Sequence, residues 1–249
     1  MLRNILDAHG GSLPDNGYVL FANTGKEYPT TLDFVKEISA RWSVKITWVE
    51  RDFQNETGCR EVTYESCSRN GEPFSELITK KKYLPNPVTR FCTEELKVKA
   101  MAKYMKSIGI NECTMVVGLR ADEPRRVHRV QGTTRQGFDY ECPLARAGHG
   151  IDDVMKFWSQ QEFDLILPNN DRAFGNCDMC FLKGRGHLER VMRHDPTLAQ
   201  WWIEREEQIG AKFRKDIPSY AQMLHQIRIQ PELFNGDDDE PIIPCTCTD

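Results

Sequence analysis

Two short apolar runs joined by one amphipathic segment do most to limit what this chain can become. Tyr18-Val19-Leu20-Phe21-Ala22-Asn23 is almost continuously apolar, which suits a strand buried on both faces of a parallel sheet. Lys45-Ile46-Thr47-Trp48-Val49-Glu50 is a second run of strand length. Between them Pro29 and Thr30 open a helix with Leu32, Phe34, Val35 and Ile38 on its apolar side. Strand, helix and strand at this spacing predict a right-handed βαβ unit. A third strand is expected over 113–119, after an amphipathic helix over 94–108 that carries Leu96, Val98, Met101 and Met105. The fold class that follows is α/β.

The rest of the chain reads more loosely. Residues 1–8 show helical spacing at Leu2, Ile5 and Leu6, with Gly10 and Gly11 after them as caps. Residues 59–82 are polar and irregular, with one short helix near 74–78. Residues 120–138 are arginine-rich, Gly132 and Gly137 bracket a loop or hairpin there, and an extended piece follows over 140–144. Helices are expected over 151–160, 187–193 and 197–213, with the Trp201-Trp202 pair in the core. Residues 236–240 form an acidic tail before Cys245 and Cys247.

Cysteine chemistry is the strongest functional signal. The chain has nine cysteines, an odd count, and no basic-then-apolar leader, so a disulfide framework is not expected. Cys177-Asp178-Met179-Cys180 lies between Gly175 and Gly184, and two thiols at this spacing can face one point. That arrangement suits zinc or an iron–sulfur cluster, with a redox disulfide as a further option. Cys92 is the best third ligand, because it precedes a helix whose N-terminus favours a thiolate. The fourth is open: Cys142 beside Pro143, Cys247 on the tail, or a non-protein ligand. Cys59, Cys67 and Cys113 read as buried or neutral thiols. His128, His149, His187 and His194 show no paired metal spacing.

Two loops that follow strands are the other candidates. Asn23-Thr24-Gly25-Lys26-Glu27 sits at the carboxyl end of the first strand, where ligands of open α/β sheets bind. In Gly118-Leu119-Arg120-Ala121-Asp122-Glu123, Arg120 is placed to hold an anion with its planar fork of donors. A formal net charge of −4 argues against a general nucleic-acid binder but leaves room for a local basic patch between Arg120 and Arg135. No apolar run nears the roughly 20 residues that span a bilayer, so no membrane partner and a cytoplasmic protein are expected.

Taken together these segments resemble the phosphoadenosine phosphosulfate reductase-like family of ATP-pyrophosphatase folds. Phe21 to Glu27 looks like its post-strand motif, Arg90-Phe91-Cys92-Thr93-Glu94-Glu95-Leu96-Lys97 like its cysteine-bearing helix start, and Gly118 to Glu123 like its arginine loop. Cys177 to Gly184 is similar to the cluster-bearing branch of that family. The resemblance implies a Rossmann-like parallel sheet with flanking helices and a small C-terminal helical region. It implies an adenine-nucleotide-binding-like α/β domain over 1–168, and a cysteine loop, helices and tail over 169–249. It also implies ATP or an adenylyl sulfate as substrate, a sulfur acceptor or redox partner, and a [4Fe–4S] cluster, zinc being the alternative. Asn23, Thr24, Gly25 and Glu27 would lie near the nucleotide, and Arg120 near its phosphate or sulfate as the catalytic cation. Cys92, Cys177, Cys180 and Cys142 would hold the metal. The family opens with a Ser-Gly-Gly-x-x-Ser loop that cradles phosphate. This sequence has no such loop, and 1–8 reads as the back half of the helix after it, so the cradle is expected to be missing. The alternative expectation is a non-catalytic, metal-stapled remnant that binds a protein or nucleic acid.

Overall fold

The apolar run at 18–23 does become a strand, and everything near the site is arranged around it. The computed structural model describes residues 1–229. The acidic tail, Cys245 and Cys247 lie outside the described residues. After a short helix α1 (Leu2–Ala8), β1 (Val19–Asn23) pairs in parallel with β2 (Ile46–Arg51), from Val19 opposite Ile46 to Asn23 opposite Glu50. The connection is α2 (Pro29–Arg41), with Pro29 at a first-turn position where its missing N–H is no loss. Leu32 and Val35 of α2 pack on Trp48 and Phe21, whose rings meet edge to face at 4.7 Å.

A third strand, β3 (Cys59–Val62), adds antiparallel to β2. Its sequence, Cys-Arg-Glu-Val, alternates too weakly to announce itself. Charged side chains are common on such edge strands, where they discourage further pairing. The helix expected near 74–78 is longer, α3 (Glu72–Lys81).

The helix expected over 94–108 begins with an unusual wide turn. Residues Thr93–Val98 are π-helical and lead into α4 (Lys99–Ser107). One face of α4 carries Ala100, Tyr104 and Met105 into a core with Val49 and Cys59 of the first sheet. The same core takes Leu119, Phe138, Tyr140 and Cys142 from a second sheet. That sheet has the order β4-β6-β5, with β4 (Thr114–Val116) parallel to β6 (Phe138–Glu141) and β5 (Thr134–Arg135) antiparallel to it. The turn from β5 to β6 uses Gln136 and Gly137 at φ 55° and 88°, the left-handed pair of a two-residue hairpin. A short helix α5 (Pro124–Val130) lies in the arginine-rich stretch over 120–138, ahead of the hairpin.

The architecture is mixed α/β, as the runs predict. The described strands, however, pair as two three-stranded sheets, each with one parallel pair, rather than as one continuous parallel sheet. Strand 113–119 shortens to three residues, although Val117 N–H still donates to the Glu141 carbonyl at 2.8 Å.

Beyond the second sheet come α6 (Pro143–Arg146) and α7 (Ile151–Ser159), then the cysteine loop and α8 (Arg185–His194), α9 (Ala199–Ile209) and α10 (Tyr220–Ile229). Trp202, fully buried, stacks on Tyr220 at 5.5 Å and meets Phe213 at 5.0 Å. This core also takes Tyr28, Phe74, Leu77 and Leu96, so it runs across position 168, the division expected from the sequence.

Candidate functional site: a thiol-lined cavity

The loop after β1 and the loop before α8 are zipped together by backbone bonds. Glu27 and Cys177 form an antiparallel bridge, Tyr28 N–H donates to the Asn176 carbonyl at 2.9 Å, and Asp178 N–H donates to the Lys26 carbonyl at 2.8 Å. The two glycines that flank the cysteine turn are not what shape it. Asn176 takes the left-handed conformation, φ 65°, a role its short polar side chain tolerates.

Side chains lock the zipper. Lys26 Nζ lies 2.7 Å from Asp178 Oδ2, with both side chains about nineteen-twentieths buried (6% and 4% exposed). Trp202 Nε1–H donates to Asp178 Oδ1 at 2.8 Å, and Met179 N–H donates to it at 2.6 Å. Burial pushes the Asp178 carboxyl upward, and the Lys26 ammonium pulls against that. A buried ion pair survives when its remaining acceptor sites are filled, as here.

The post-strand residues are used the same way. Asn23 Nδ2–H donates to Glu50 Oε1 at 2.6 Å and to the Ser68 carbonyl at 2.8 Å. Glu50 is completely buried and also accepts from Arg60 at 2.6 Å and from Ser68 N–H at 2.6 Å. Thr24 N–H and its hydroxyl both donate to Glu27 at 2.9 Å. Gly25 sits at φ +81°, and Gly71 N–H donates to its carbonyl at 2.9 Å. Asn23, Thr24, Gly25 and Glu27 therefore lie where the sequence places them, at the carboxyl end of β1, but their polar groups are spent on the protein itself.

Against this clasp stands the first turn of the helix that leads into α4. Cys92, Cys177 and Cys180 line one cavity, together with Thr24, Thr93 and Lys97. The walls behind them are Phe74, Phe181, Leu182 and Trp202. Lys97 Nζ pairs with Glu27 Oε1 at 3.2 Å, with their side chains 12% and 2% exposed. The Thr24 hydroxyl is 3.8 Å from Cys177 Sγ. Thus three thiols, far apart in sequence, share a cavity with an ammonium group, which would offset negative charge on thiolates. Sequence reasoning identified the thiols but missed Lys97, Lys26 and Asp178. The one available signal was that Asp178 lies between two cysteines.

The remaining predicted residues lie elsewhere. Cys142 is fully buried in the other core with Phe138 and Tyr140, where burial raises its thiol pKa. It is not among the residues of the thiol cavity. Arg120 follows β4 as expected, but its guanidinium is held by Asp122 at 2.9 Å and Glu123 at 3.4 Å. The seven cysteines of the described residues are all free thiols.

The donor set tests the metal idea. Zinc–sulfur bonds of about 2.3 Å in a tetrahedron would bring sulfurs to within about 4 Å of one another. Among the described residues, no three His, Cys, Asp or Glu side chains are grouped to hold one metal ion. Cluster thiolates bind different irons and so stand further apart, and three soft thiols fit that chemistry. The space is narrow, about 10 Å³ or room for one water. A [4Fe–4S] cluster is larger than that space.

Fold and site thus define a mixed α/β protein with a buried three-thiol cavity beside a parallel strand pair. The chain is similar to the uncharacterized nin region protein ORF290 of Escherichia phage lambda, at 29% identity over 196 residues, 75% of this chain and 63% of that protein. It therefore spans less than two thirds of the length of this curated relative. No family model matches the chain, and no solved structure matches it.

Proposed function

We propose that this chain is a phosphoadenosine phosphosulfate reductase-like enzyme, acting on ATP or an adenylyl sulfate in sulfur or nucleotide transfer. In this reading Cys92, Cys177 and Cys180 hold a [4Fe–4S] cluster, with the last iron left to a non-protein ligand or to Cys247. The observation that carries it is the convergence of Cys92 with Cys177 and Cys180 on one cavity. Such a cluster supplies electrons or a site for sulfide when bound. Lys97 offsets the charge of the thiolates, and Glu27 holds Lys97 in place. The nucleotide would lie across the carboxyl ends of β1, β2 and β4, in a Rossmann-like arrangement of those strands. Arg120 would then leave Asp122 and Glu123 to bind phosphate or sulfate oxygens.

Anaerobic purification tests this. Iron and acid-labile sulfide in the purified protein, both lost in Cys92→Ser and in Cys177→Ser, are the expected result. Full iron retention in Cys92→Ser would sink the shared site, and a colourless protein with one zinc would replace the cluster with a structural ion. Pyrophosphate release from ATP, reduced in Arg120→Ala, is the expected enzymatic readout.

The second reading, a metal-stapled module that binds nucleic acid, draws on α5. That helix exposes Arg125, His128 and Arg129. Oligonucleotide binding with a steep salt dependence and no nucleotide turnover would favour it.

A further inference from the structure

We propose that the cleft between β2, α3 and α4 binds a compact anion built of several linked phosphates, such as a nucleoside or inorganic triphosphate. The cleft is open on one side and offers about 580 Å³, inside the range of about 300–1,000 Å³ usual for small-ligand sites. It is lined by five cations, Arg51, Lys80, Lys81, Lys99 and Lys103, against the single carboxylate of Glu95. The lining therefore carries +4, five minus one, in a chain whose formal net charge is −4. The elements converge these charges. Arg51 ends β2, Lys80 and Lys81 end α3, and Lys99 and Lys103 lie one turn apart on α4.

Glu95 does not neutralise the cluster. It is shared by Lys99 at 2.9 Å, Lys81 at 3.5 Å and Arg51 at 3.9 Å. Lys80 and Lys103 have no carboxylate at ion-pair distance among the described residues, and Lys80 instead stands 5.3 Å over the Phe53 ring. Arg51 gives a second, independent pointer. Its side chain is 10% exposed, yet its Nε–H is buried without a hydrogen-bond acceptor, the Glu95 oxygen being too far. The guanidinium carbon stands 4.4 Å from the centre of the Phe53 ring, and Nη1 donates to the Gly58 carbonyl and, at 3.4 Å, to the Asp52 carbonyl, so the group is held in place. Folding accounts for Nη1 of Arg51, but converged like charges repel and the buried Nε–H without an acceptor costs stability, so it does not account for the cluster as a whole. A lone carboxylate or sulfate would leave most of the +4 unbalanced, whereas linked phosphates would balance it and give the Arg51 Nε–H an acceptor.

The site does not rest on the metal reading. Lys97 lines the thiol cavity while Glu95, Lys99 and Lys103 line the cleft, so one helix serves two separate places.

Calorimetric titration of the full chain with inorganic triphosphate and with ATP tests the idea. One-to-one binding of inorganic triphosphate that weakens with salt is expected, falling by about tenfold or more in Lys80→Gln/Lys103→Gln and recovering in Lys80→Arg/Lys103→Arg, with both probes also titrated into Arg120→Ala so that the nucleotide site proposed above does not contribute. Equal affinity for the two probes assigns the recognition to the phosphates alone, and tighter ATP binding adds a contact to the nucleoside; both support the site. Retained triphosphate binding in Cys92→Ser keeps the result separate from the thiol cavity. Lys80 is exposed at a helix end, so Lys80→Gln alone gives a folding-safe check with a smaller loss. No saturation by triphosphate, unchanged affinity in the glutamine variants, or binding of an oligonucleotide but of neither small probe would overturn the proposal.

Discussion

Asp178 shows how much one buried charge depends on its neighbours. Its carboxylate lies next to Lys26, and the Trp202 indole and Met179 amide fill its other oxygen. Asp178→Asn would leave Lys26 buried and uncompensated. We expect a loss of about 3–5 kcal/mol in chemical denaturation, largely recovered in Lys26→Met/Asp178→Leu, because the apolar pair removes both desolvation costs together. None of this is legible in the sequence. A Lys and an Asp far apart in the chain carry no mark of their pairing, whereas two cysteines three positions apart do. The thiols were readable because their spacing is local and their chemistry is rare; Lys97 was not singled out, and Cys142 was offered as a fourth ligand though it lies in another core, because the neighbours of both come from other elements.

At the scale of elements, the loop after β1 depends on Gly25. Its φ of +81° is one that residues with a Cβ seldom adopt, and an added Cβ would lie 3.1 Å from the Gly71 Cα and 3.2 Å from the Ser68 Cβ. Gly25→Ala is therefore expected to cost about 1–3 kcal/mol and to loosen the zipper to the cysteine loop, read as a lower denaturation midpoint and faster alkylation of Cys177 and Cys180. Periodicity found β1, α2 and β2, where one face meets a core along the whole element. It missed β3, whose partner supplies the burial, and the π-helical turn, which no residue pattern announces. Helix α10 was overlooked despite a readable signal: Tyr220, Met223, Leu224 and Ile227 share one face and are all buried.

For the whole molecule, Glu95 ties β2, α3 and α4 to one carboxylate. Burial would raise its pKa, but Lys99 and Lys81 more than offset that, so the net shift is downward from the ordinary glutamate value of about 4.3. A carboxylate depressed in the folded state stabilises above its unfolded pKa and loses that contribution as pH falls through the folded value. Stability should therefore fall on the acid side of the ordinary glutamate range. Glu95→Gln should lower stability at neutral pH and flatten the acid limb, measured as melting temperature against pH. If the acid limb of Glu95→Gln keeps the wild-type slope, the cations do not hold this carboxylate as described.

Residue order alone was enough for the class of the fold, the parallel strand pair with its helix, and three thiols worth bringing together. Those rest on local information: side-chain period, chain-breaking residues and the short spacing of Cys177 and Cys180. Packing between distant segments set the division of the described strands into two sheets around α4. It alone brought Cys92 to the cysteine loop, left Cys142 in another core, and gathered five cations at one cleft. Each of those outcomes depends on which distant surfaces exclude water together, and the order of residues along a chain does not record that.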